Sequence, residues 1–176
     1  MQRPFIAVFL ARAVAACSSG APVQYYPLPD SAFILPAQRA QEAAVQIILA
    51  EPLKTQSLLY QSDAHQLNFA QSHLWADSPE NALAANLSNK LNRLDRNTRY
   101  QPVRRSGGRA PVLKIYIETF QGNYQGYTQI NGYVQWPDGH SRSFAVQTPQ
   151  QGDGYAAMVD SLNEGLDNAA IEIHGR

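Results

Sequence analysis

Cys17 is the one residue in this chain whose immediate neighbours spell out a covalent reaction. It is the sole cysteine, and it follows Val14-Ala15-Ala16: aliphatic, small, small, then the thiol. That pattern directs a diacylglycerol onto the sulfur, cleavage of the peptide before it, and acylation of the freed amine. Upstream stand Arg3 and an apolar stretch from Pro4 to Ala11, the basic start and short apolar core of a secretory signal. Arg12 limits that core to about eight residues, at the low end of the usual length. The expectation is a signal peptide over residues 1–16, a lipidated tether over 17–24 and one domain over 25–176. Ser18 to Gln24 is small and polar, and it reaches at most about 25 Å. One acyl chain binds a membrane marginally, and two or more hold it stably. Serine rather than aspartate after the cysteine favours the outer membrane under the sorting rule of Gram-negative lipoproteins.

Other motifs that carry chemistry are mostly missing. There is no Gly-x-x-x-x-Gly-Lys phosphate loop and no Gly-x-Ser-x-Gly nucleophile elbow. Gly152-Asp153-Gly154-Tyr155-Ala156-Ala157 spells Gly-x-Gly-x-x-Ala, but a dinucleotide fold needs a parallel strand after the helix that follows. These glycines are expected to turn the chain into a capped helix. His65, His73, His140 and His174 do not have metal-ligand spacing, so neither metal nor cofactor is expected. Asp63 and His65 read as surface or hydrogen-bonded groups.

Charge is unevenly placed. Between Lys90 and Lys114 lie eight bases, Arg104 and Arg105 among them, and only Asp95 opposes them. From Asp153 onward five acids stand against Arg176. One reading is a solvated helix end, where bases complement the helix dipole. The other is a basic edge facing acidic headgroups or the acidic face of a neighbouring subunit.

These groups must be positioned by short elements. Tyr25 and Tyr26 read as a short strand stopped by prolines, and residues 30–44 as loop. Val45 to Ala50, Ser57 to Gln61 and Leu67 to Ala70 read as strands. Ser78-Pro79 starts a helix whose Leu83, Leu87, Leu91 and Leu94 form one apolar stripe. Tyr100 to Val103 reads as a further strand. From Val112 the pattern alternates with period two. Leu113, Ile115 and Ile117 share one face, and Ile130, Gly132, Val134 and Trp136 share one on the next strand. Pro137-Asp138-Gly139 turns into a third strand over Ser141 to Thr148. The polar face of this meander carries Tyr116, Tyr127 and Tyr133, which suit either an interface or cross-strand packing. Residues 153–173 read as a second amphipathic helix. The fold class expected is α+β, a mostly antiparallel sheet with two amphipathic helices packed on one face.

Composition limits the rest. The chain has 176 residues, 44% of them hydrophobic and 16% charged, with 14 basic and 14 acidic side chains. That is too apolar for a disordered chain and too neutral for a bulk nucleic-acid binder. No apolar run is long enough to span a bilayer.

Four stretches, taken in order with the lipidation sequence, carry a family resemblance. They are Tyr25 to Pro29, Leu59 to Pro79 with Trp75-Ala76 ahead of a helix, Phe120 to Trp136, and Thr148 to Asn163. Together they resemble the ABC-type transport auxiliary lipoprotein family, most nearly its PqiC-like intermembrane transport members. Many members have Glu-Pro after Trp-Ala, where this chain has Asp77-Ser78-Pro79, and an arginine where it has Lys54. The resemblance implies a non-enzymatic accessory subunit, anchored through Cys17 to the outer membrane with its domain facing the periplasm. It implies docking to a periplasmic MCE-domain tunnel protein, phospholipid as a possible cargo, and a homo-oligomer. Trp75, Tyr127, Tyr133, Arg104 and Arg105 are the expected interface residues. The rival expectation is an independent lipid-binding or structural outer-membrane lipoprotein without a transporter partner.

Overall fold

Prolines and glycines cut the chain into short segments, and the computed structural model, which describes residues 21–175, places an element in almost every one. In order these are β1 (Gln24–Tyr26), β2 (Gln41–Leu49), β3 (Ser57–Gln61), β4 (Leu67–Trp75), α1 (Pro79–Leu94), β5 (Thr98–Pro102), β6 (Val112–Asn123), β7 (Tyr127–Gln135), β8 (Ser141–Pro149) and α2 (Gly154–His174). Short 3₁₀ turns lie at Glu51–Lys54 and Val103–Arg105.

The class is α+β, as expected, and the sheet is mixed. β6, β7 and β8 form the antiparallel meander read from the alternation. The other edge of β6 takes two parallel partners end to end: β2 along Val112–Ile117, then β3 at Gly122–Asn123. β5 adds in parallel outside β2, β4 antiparallel outside β3, and β1 in parallel outside β4. The sheet therefore forks at the 3₁₀ turn after β2. Period two reveals which face is buried; it carries no information on the direction of a neighbour.

Two details keep β6 and β7 in phase. The pairing shifts register between Ile117 and Thr119, so the buried series passes from Ile117 to Phe120. Gly132 is buried mid-strand because a Cβ there would lie 1.9 Å from the Tyr116 carbonyl oxygen.

Both helices cover the same face: α1 lies over β2 and β5, α2 over β7 and β8, and the two touch. Leu83, Leu87 and Leu91 are buried as the stripe predicts, while Leu94, at the last position of α1, is 39% exposed. Ser78 and Asp153 hold the N-cap positions, but neither side chain makes the capping hydrogen bond expected of it. Gly152 and Gly154 do make the turn, with φ of 94° and 86°.

Twelve of the sixteen α1 residues are buried, more than one apolar stripe supplies. The second cover is the segment at residues 28–39, which crosses the outer side of α1. A strap without secondary structure needs partners for the backbone groups it turns toward the helix, and asparagines three apart provide them. Asn86 Nδ2 donates to the Pro29 carbonyl at 2.7 Å and to Asn163 Oδ1 at 2.9 Å. Asn89 Nδ2 donates to the carbonyls of Asp30 and Ala32, and its Oδ1 accepts from the Ile34 N–H. Asn92 Oδ1 accepts from Arg39, whose guanidinium also donates to the Asp95 and Thr98 carbonyls.

Candidate docking surfaces

Three elements meet around Arg104 and Arg105: the strap, the start of α1 and the 3₁₀ turn after β5. They enclose a groove of about 430 Å³. The Arg105 guanidinium lies 5.5 Å from the centre of the Phe33 ring. Asp77 and Glu80 line the same groove. With both signs of charge on its walls, it suits a mixed-charge polypeptide segment better than a single anion.

The rest of the basic run is partly satisfied inside the chain. The buried Lys90 ammonium is 2.7 Å from Asp167 Oδ1 and 3.6 Å from Asp30 Oδ2. Arg93 reaches Asp30 at 3.1 Å and Asp167 at 3.4 Å. Arg99 pairs with Glu42. The bases of α1 thus meet an acid of α2 within one molecule, tying helix to helix and both to the strap.

The expected aromatic surface is divided. Trp75 lies in the core, 6% exposed and packed on Phe120 with ring centres 5.6 Å apart, so its ring offers little to a partner. Tyr133 is on the open face of the sheet, stacked on Tyr116 at 4.3 Å with the planes 11° apart. Burial, then the neighbouring Tyr116 and Glu118, push its phenol up from the ordinary value. Tyr127 is at the far end of β7, six residues or about 20 Å away, and its hydroxyl donates to Gln125 Oε1 at 2.6 Å. The tyrosines therefore form two separate sites rather than one row. Cys17 lies outside the described residues.

A second concavity corresponds to no pattern in the sequence. Tyr60, Tyr124, Tyr155 and Met158 line a pocket of about 300 Å³ where β3, the β6–β7 turn and the start of α2 meet. Behind it, His73 stacks on Tyr155 at 4.0 Å, and His73 Nδ1 hydrogen-bonds the Tyr26 hydroxyl at 2.9 Å. Burial, then Tyr60 and Tyr26, push the Tyr155 phenol up. These residues come from distant parts of the chain, so no local spacing announced them. Asp63, at the β3–β4 turn, accepts from the backbone N–H groups of His65 and Gln66 and closes that turn. Among the described residues no group of three or more His, Cys, Asp or Glu could hold a metal ion. No helix among them is long and apolar enough to cross a membrane.

A family model described as the ABC-type transport auxiliary lipoprotein component matches residues 33–174. No curated protein matches the chain. A solved structure described as an uncharacterized protein is 26% identical over 88% of this chain and 97% of its own, with a TM-score of 0.69. Protein XCC0632 from Xanthomonas campestris, assigned to the family DUF330, is 16% identical over 86% of this chain and 93% of its own, with a TM-score of 0.63. That second likeness is one of fold.

Proposed function

The chain belongs to the ABC-type transport auxiliary lipoprotein component family, and on that premise we propose that it is the outer-membrane-anchored accessory subunit of an MCE-type intermembrane lipid transport system. The observation that carries the reading is the family match, which spans the strap from Phe33 onward, the whole forked sheet beyond β1, and both helices. In this reading Cys17 holds the acyl anchor. The domain faces the periplasm and docks a tunnel-forming MCE-domain protein, and the cargo is phospholipid or a related hydrophobic molecule. The short tether supports it, because seven residues keep the domain close to its membrane and leave the partner to cross the periplasm.

The protein acts by binding rather than by catalysis. Its surfaces are grooves lined by aromatic, amide and mixed-charge side chains. The groove at Arg104 and Arg105 and the stacked Tyr116 and Tyr133 are the proposed protein contacts, made to the MCE protein or between copies in a homo-oligomeric ring.

Genetic interaction tests the assignment. Loss of this chain and loss of the MCE partner should give the same sensitivity to membrane-active detergents, and losing both should be no worse than losing one. An additive double loss would place the two in separate processes and contradict the proposal.

A further inference from the structure

Five exposed large apolar side chains are spread along the β1–β4 corner of the domain, and the tether leaves from one end of it. Val23 and Tyr25 flank or belong to β1, Leu67 and Phe69 belong to β4, and Tyr124 sits on the β6–β7 turn. The β3–β4 and β6–β7 turns are neighbours, because Tyr60 and Gln61 pair in parallel with Gly122 and Asn123. β1 pairs in parallel with only the last part of β4, Gln24 opposite His73. Leu67 is six residues before His73, about 20 Å along the strand. Cys17 is seven residues, at most about 25 Å, from Gln24, a reach comparable to the length of β4.

The charge distribution singles out the same corner. Residues 21–29 and 119–137 contain no Asp, Glu, Lys or Arg, and residues 55–76 contain only Asp63, whose carboxylate is engaged in its turn. The bases and most of the acids lie elsewhere. A surface of tyrosine, phenylalanine, leucine and amide groups loses little when it leaves water for the headgroup region, where tyrosine rings are favoured.

We infer that this β1–β4 corner, with Tyr124 beside it, is the face the domain lays on the bilayer that holds its anchor. The inference rests on the reading of Cys17 as the acylated residue. It fixes the orientation of the domain. α2 starts near this corner at Gly154 and runs about 25 Å to Ile171, which carries that exposed side chain away from the membrane. The partner-facing surfaces then lie on the periplasmic side.

The test uses the acylated full chain in vesicles of phosphatidylethanolamine and phosphatidylglycerol, with a second cysteine placed in turn at Leu67, Phe69, Tyr124 and Ile171 and labelled with an environment-sensitive fluorophore. Flotation of the chain with the vesicles, lost in Cys17→Ala, checks the anchor separately. With the anchor intact, labels at Leu67, Phe69 and Tyr124 should shift to shorter wavelength. A quencher carried on the lipid should dim them several-fold more than the label at Ile171. Equal dimming at all four positions, or free access of a water-borne quencher to the corner, overturns the inference and leaves the anchor standing. Protection of the corner from both quenchers would mean that another copy of the chain covers it, and overturns the inference too. Failure to float would remove the anchor reading itself, and the orientation with it.

Discussion

At the scale of single residues, steric and polar fit decides what the sheet and helices tolerate. Gly132→Ala puts a Cβ against a backbone carbonyl oxygen that cannot step aside. It should cost about 3 kcal/mol in urea denaturation, at the upper end for overpacking. Gly165→Ala meets the terminal carbon of Ile130 at 2.9 Å, a movable group, and should cost about 1 kcal/mol. Equal losses would contradict the close approach at Gly132. Asp95 ends α1, and burial alone would raise its pKa. Hydrogen bonds from Asn97, Thr98 and Tyr100 outweigh that and hold it below 3.8. Its folded pKa is depressed, so its contribution is complete above the unfolded pKa and fades as pH falls through the folded value. Losing these hydrogen bonds in Asp95→Ala should therefore cost about 1 kcal/mol at neutral pH, and the gap to the parent should close on acidification below 3.8. A constant gap would sink this account. At this scale the sequence was half legible. Glycine in an alternating strand marks a close approach, but nothing local revealed that Lys90 is buried against Asp167 or that Trp75 packs inward.

At the scale of elements, the meander and both helices follow from periodicity. β7 is bounded by its turns almost as read, and both helices end within a residue of their expected limits. β2 begins earlier and β4 runs later than expected, because tertiary pairing extended runs with weak local signals. The parallel pairings and the strap were not legible, since both depend on contacts far apart in the chain. The asparagine series on α1 was the available clue: three carboxamides at helical spacing on a buried helix need partners. Asn89→Ala leaves two strap carbonyls and one N–H without theirs, and should cost about 2–3 kcal/mol. Amide exchange at Ile34 should accelerate more than exchange in the meander. Unchanged protection of Ile34 would mean that the strap is held by other contacts.

At the scale of the whole molecule, the Arg104–Arg105 groove is formed where the strap, the start of α1 and the turn after β5 come together. Arg104→Glu with Arg105→Glu should reduce assembly, read as native mass, while the fold persists. Because Asp77 and Glu80 share that groove, reversing them as well distinguishes an internal contact, which is restored, from an external one, which is not. Unchanged native mass and unchanged binding to anionic vesicles after the arginine reversal would remove this groove from the interface. The central claim is that the protein is one part of a transport machine. The most direct measurement is to extract the tagged chain from native membranes in mild detergent and weigh, by mass spectrometry, what comes with it. An MCE-domain protein recovered in near-fixed ratio is the predicted result. Recovery of the lipoprotein alone, from a detergent that leaves other envelope complexes intact, would contradict it and point to an independent lipid-binding or structural role.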